Sequence, residues 1–254
     1  MLATAMANGE RVLAGFDFPF GYPAGFAARL GLPGPPWRAV WDEIAALLRD
    51  NDRNRNNRFE VAADFNRRVS GGPFPFWGCP IGPTRPFLGP KHHRRHDRDT
   101  LAERRLIDRF MTGAQPCWKL LGIGSVGGQA LTGIPVVRAL RDDPRWREAA
   151  RIWPFETGLA DPVGVRLVFS EVYPSWWPIS PAPGEPKDAA QVREIARLFA
   201  AHGESGELAA LFAGPHGLSD AQRQVIENEE AWTLGVMAPR SRSRLAIDAG
   251  NAAA

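Results

Sequence analysis

The run Val12-Leu13-Ala14-Gly15-Phe16, ended by Asp17 and closed by Phe18-Pro19-Phe20-Gly21-Tyr22-Pro23, constrains this chain more than any other stretch. An apolar segment bounded by turn formers is what a strand covered on both faces requires. A carboxylate walled by Phe16 and Phe18 costs several kcal/mol unless hydrogen bonds, an ion pair or a cation compensate it. Asp17 can meet that demand in two ways. It can accept backbone N–H groups in the turn, as Asx residues do, or it can face positive charge brought from elsewhere.

Two later segments bring further acids to similar places. Val165 to Tyr173 reads as a strand in which Val165, Leu167, Phe169, Glu171 and Tyr173 share a face, so Glu171 stands on an apolar face just before Pro174. An arginine such as Arg166 or Arg138 is its ordinary partner. A shorter strand is expected over Arg151 to Glu156. Beyond the Pro-rich stretch Pro178 to Pro186, a helix opens at Asp188, with Val192, Ile195, Ala196 and Phe199 as its buried side. Asp188 either forms a capping box with Gln191 or faces the ends of the strands.

The remaining pattern is helical. Trp37 to Leu48 is amphipathic through Val40, Ile44, Leu47 and Leu48, and Phe59 to Val69 and Thr100 to Met111 are further helices. Gly71 to Pro90 is rich in Pro and Gly, yet Phe74, Phe76, Trp77 and Phe87 mark it as a packed loop. Ser219 with Gln222 opens a last helix through Glu227, Glu229 and Glu230. The Ala-rich tail Ala249 to Ala254 is expected to fray. One domain over residues 1–248 is expected, with an insertion at about 25–115.

Composition narrows the class. With 254 residues, 44% hydrophobic and 23% charged, the chain has the make-up of a soluble globular protein with ample core. No apolar run reaches the roughly 18 residues that a membrane helix needs, and the first residues lack the pattern of a secretory signal. Cys79 and Cys117, far apart and outside any C-x-x-C pattern, read as buried thiols of a cytoplasmic protein. The net charge of +3 is carried unevenly, by Arg53, Arg55 and Arg58, by Lys91, Arg94, Arg95 and Arg98, and by Arg240, Arg242 and Arg244. Such clusters suit solubility and also suit phosphate backbones.

Several familiar motifs fail on context. Gly122 to Gly128 satisfies G-x-G-x-x-G, with Asp142 beyond it, but Trp118 to Leu121 is too short for the required strand. Thr132, Gly133 and Pro135 are expected to start a fresh helix there. His92 and His96 have the spacing of a metal pair, but Lys91, Arg94 and Arg95 surround them with like charge. No nucleophile elbow or Walker loop is present.

Asp17, Glu171 and Asp188 make sense together. If the strands are parallel, their carboxyl ends converge where ligands bind in open α/β sheets. Carboxylates sharing such a cleft must protonate or admit a cation, and hard oxygen ligands favour Mg2+ or Mn2+. The motifs FDFPFGYP, SEVYPS, KDAAQV and EEAWTLGV, in this order, resemble the domain of unknown function 429, a group of predicted nucleases with a ribonuclease-H-like fold. The resemblance implies an α/β fold with a mixed sheet flanked by helices. No aspartate-bearing strand precedes Asp17, so the usual N-terminal strands are expected either to lie further upstream or to be lacking. The resemblance also implies a metal-dependent phosphodiesterase with Asp17, Glu171 and Asp188 as catalytic metal ligands, Glu230 as a weaker candidate, and a nucleic acid or nucleotide-like substrate. The missing acidic strand points to impaired activity. The alternative is a non-catalytic relative that binds a ligand or partner through the 71–90 loop and the basic clusters, or serves molybdopterin guanine dinucleotide or cobalamin synthesis.

Overall fold

Strands β1 (Val12–Phe16), β2 (Ala150–Ile152) and β3 (Leu167–Glu171) pair in the order β1-β3-β2, both pairings parallel, with Phe16 in register with Glu171. All carboxyl ends therefore lie along one edge. The coordinates are a computed structural model describing residues 2–239, apart from 54, 83–84, 93–95, 97–100 and 112. The tail Ala249–Ala254, the arginines 240, 242 and 244, and His93, Arg94, Arg95 and Arg98 lie outside the described residues.

The two-residue period of a strand sorts its side chains between two cores. Leu167 and Phe169, with Ala150 and Ile152, join Phe20, Trp41, Phe65, Phe76, Trp118 and Ile134 on one face. Val168 and Val172, with Trp153, join Ile195, Phe199, Phe212 and Trp232 on the other. Helices α1 (Leu2–Ala7), α2 (Phe26–Arg29), α3 (Pro36–Leu47), α4 (Arg58–Ser70), α5 (Leu106–Phe110) and α6 (Val126–Asp142) precede β2 in the chain. After β3 come α7 (Lys187–Ser205), α8 (Leu208–Phe212) and α9 (Asp220–Val225), which runs into a π-helical turn, Ile226–Glu230. Among the described residues no helix is long and apolar enough to cross a membrane. Cys79 and Cys117 are buried free thiols.

The expected α/β class is present, but the sheet of the described residues is wholly parallel rather than mixed. The expected helix at 100–111 shortens to α5, and the strand expected at 151–156 ends at Ile152. A break at Thr132 is absent. α6 runs unbroken, with Pro135 inside it. The π turn replaces a regular helix through Glu227 and Glu230. On α7 the buried row is Gln191, Ile195 and Phe199, whereas Val192 is 64% exposed. The Ser219–Gln222 capping box forms in both directions. Segment 25–115, read as an insertion, supplies Trp41, Phe65 and Phe76 to the larger core.

Candidate acidic site at the carboxyl edge of the sheet

Asp17 follows β1 directly. The ladder continues one step past the strand, Val172 N–H donating to Phe16 O at 3.0 Å, which sets Asp17 beside the start of the 172–174 segment. The turn is anchored by its neighbours. Phe20 N–H donates to Glu171 Oε2 at 2.9 Å, and Tyr22 N–H to Glu229 O at 3.2 Å. Gly21 is required there, because a Cβ would lie 2.2 Å from Glu229 O.

Asp17 is open to solvent on one side and walled by protein on the other. Its pKa is pushed up to about 6, first by desolvation and then by the charges of Glu171 and Asp188. The other two acids that the sequence singles out thus lie within electrostatic reach of Asp17. The turn bonds expected of Asp17 do not form. Among the described residues it has no hydrogen-bond or ion-pair partner. Asp188 is likewise exposed and unpaired, in the first turn of α7 and on the row that leads to Gln191 and Ile195. Its expected capping box is also missing, since Pro186 is the N-cap and Gln191 Nε2 instead donates to Ser175 Oγ at 2.7 Å. Half-buried Tyr173 belongs to the same edge, where burial and then the charge of Asp17 raise its pKa.

Glu171 differs from the other two. Arg105 Nη1 donates to its Oε2 at 2.7 Å and Arg105 Nη2 to its Oε1 at 2.8 Å. Thr233 Oγ1 donates to Oε1 at 2.9 Å. With the Phe20 amide, each oxygen accepts two bonds, which uses its lone-pair directions. The partner is Arg105 rather than Arg166 or Arg138, which bind Met6 O and Asp42. Arg105 is 1% exposed and also holds Asp108 and the carbonyl of Glu230. Burial works against its charge, but Asp108 and Glu171 outweigh that and keep the guanidinium charged. Nothing in the sequence set Arg105 apart from Arg104 or Arg109, because Glu171 and Glu230 are remote along the chain.

Glu230, the weaker candidate, is buried. It accepts from Ala24 N–H at 3.0 Å and Leu106 N–H at 2.5 Å. Desolvation raises its pKa, against the pull of those two amides. Glu229 and Glu227 similarly take the amides of Gly25 and Leu159. The acidic run therefore pins loops.

The other motifs are structural. A Cβ at Gly127 would lie 2.1 Å from Cys117 O, so the glycine lets α6 start against the preceding backbone. Asp142 pairs with Arg38. His92 and His96 stack at 5.2 Å, and His96 Nδ1 lies 2.6 Å from Leu101 O. Among the described residues no set of three His, Cys, Asp or Glu side chains is grouped to hold a metal. A groove of about 440 Å³ beside α6, lined by Leu48, Thr132, Pro135 and Val136, includes none of the three acids.

The carboxylate oxygens of Asp17 and Asp188 remain unengaged by any described residue at this edge. The oxygens of Glu171 do not. In comparisons with known proteins, no family model, curated protein or solved structure matches the chain.

Proposed function

We propose that the chain is a metal-dependent phosphodiesterase of the ribonuclease-H-like kind, acting through Asp17 and Asp188. The observation that carries this reading is the meeting of two unpaired acids, from β1 and from α7, at the carboxyl edge of a parallel sheet. The four motifs shared with the domain of unknown function 429 point the same way. Asp17 and Asp188 would hold Mg2+ or Mn2+, which as a Lewis acid supplies charge stabilisation to a phosphoryl oxygen.

The chain's own groups define the rest. With its pKa at about 6, Asp17 is a carboxylate above that pH, able to accept a proton from water or to face a cation. Glu171, clamped by Arg105, holds the Phe20 amide and so fixes the turn that presents Asp17. Glu171 acts here as a positioning residue.

The test is hydrolysis of bis(p-nitrophenyl) phosphate with Mn2+. Asp17→Asn should lower the activity by at least about 100-fold, the scale of general-base catalysis. Equal rates for wild type and variant refute the proposal. The filled coordination of Glu171 favours a second reading, a non-catalytic binding relative. Calorimetric titration with Mg2+ separates the two, because absence of heat supports the binding protein.

A further inference from the structure

On the surface Arg38, Arg68, Arg141 and Arg193 pair with acids. Arg58 and Lys119 do not, among the described residues. Arg58 Nη1 donates to Asn56 Oδ1 at 2.9 Å, and Lys119 Nζ donates to Ile123 O at 2.6 Å. Both cations lie against aromatic rings. The Arg58 guanidinium carbon is 4.4 Å from the Phe59 centroid, and Arg85 approaches the same ring at 5.7 Å. Lys119 Nζ is 5.7 Å from the Trp77 centroid, and the His92 ring lies 6.0 Å from it. Among the described residues, Arg85 alone of these three cations has an ion-pair partner, Glu60 at 3.8 Å.

The start of α6 joins these two groups. A Cβ on Gly128 would lie 3.6 Å from Arg58 Nε, and Gly127 N–H donates to Lys119 O at 3.0 Å. The result is a band of cations interleaved with half-buried rings and an exposed imidazole. Cations alone would suit any polyanion. Ring faces beside them suit a strand whose bases are unpaired and can stack. An acidic peptide or a lipid headgroup has no use for them.

The band and the acids meet α6 on different sides, about 140° apart around its axis. Five residues along α6, about 7.5 Å of axial rise, Gly133 receives the ring of Phe18, where a Cβ would lie 2.4 Å from the ring carbons. Phe18 adjoins Asp17. We infer that single-stranded nucleic acid binds across the start of α6, on Arg58, Lys119, Phe59 and Trp77. Cleavage of that strand at the Asp17 edge would rest on the phosphodiesterase reading. The binding itself does not.

The experiment is fluorescence anisotropy of a short labelled oligothymidylate in EDTA, titrated at several salt concentrations. Wild type should bind with a clear salt dependence. Arg58→Ala with Lys119→Ala should weaken binding by about tenfold or more and lower the salt slope by about 1.4, roughly 0.7 for each lost phosphate contact. Arg58→Lys with Lys119→Arg should retain both, which controls for folding. No binding by wild type, an unchanged double alanine variant, or equal binding of polyglutamate overturns the inference. Binding without any hydrolysis refutes the enzyme and leaves the inference standing. Hydrolysis of the small diester without oligonucleotide binding does the reverse.

Discussion

Asp17 and Glu171 stand at the ends of neighbouring strands, yet their surroundings give them opposite roles. Glu171 is neutralised by a bidentate guanidinium, so its charge is a structural matter. Asp17 has no partner among the described residues, and desolvation and the nearby acids shift its pKa from 3.8 to about 6. The consequence for stability has a definite sign. Above about pH 6 the folded protein carries a carboxylate that the unfolded chain tolerates better, so the destabilisation is fully present there. It fades as pH falls through 6 and is gone near 3.8. Asp17→Asn should therefore raise Tm at pH 8, by about 2–4 °C for each kcal/mol relieved, with the gain shrinking toward pH 4. Thermal melts followed by circular dichroism decide it. A variant less stable than wild type at pH 8 contradicts this account of Asp17.

Among the elements, the π turn Ile226–Glu230 and the residue after it organise the site more than any regular helix. The turn supplies the carbonyl and carboxylate acceptors for Tyr22, Ala24, Gly25 and Leu106. Ala231 then reverses the chain at φ 61° and ψ −175°, a region that suits glycine, and brings Thr233 to Glu171. Such strain costs on the order of 1–3 kcal/mol. Ala231→Gly should then match or exceed wild-type stability, by about 1 kcal/mol, although Ala→Gly is ordinarily unfavourable. Gly21→Ala should do the opposite, because its Cβ would strike the backbone of Glu229 and Glu230. Urea unfolding of the two variants measures both. A destabilised Ala231→Gly protein would show the reversal to be unstrained.

For the whole molecule, the Arg105 guanidinium is the tie among distant parts. It connects the segment before α5 to the end of β3 and to Glu230, while Glu171 holds the turn after β1 and Thr233. Removing one partner of such a buried pair leaves an uncompensated charge and costs about 3–5 kcal/mol. Arg105→Met should destabilise by that amount. Adding Glu171→Leu should recover part of the loss, since the stranded carboxylate goes with it. A double-mutant cycle in urea reads the coupling, and strictly additive losses would argue against the tie.

The sequence was most legible where local rules suffice. The apolar run ending in Asp17, the strand ending at Glu171 and the Ser219 capping box depend on residues near one another, and the alternation of strand residues marks their covered faces. The helices at 36–47 and 58–70 were readable for the same reason, from apolar residues at helical spacing. Arg105 was not readable. A buried cation is recognised by what surrounds it, and its acid partner Glu171 lies 66 residues away.

The amino-acid order by itself determined that acids close two strands and that another opens the helix α7, because turn chemistry and periodicity are local. Only the tertiary structure decided which acid keeps its charge to itself and which faces open water. That division depends on where one guanidinium comes to rest, and packing alone sets its place.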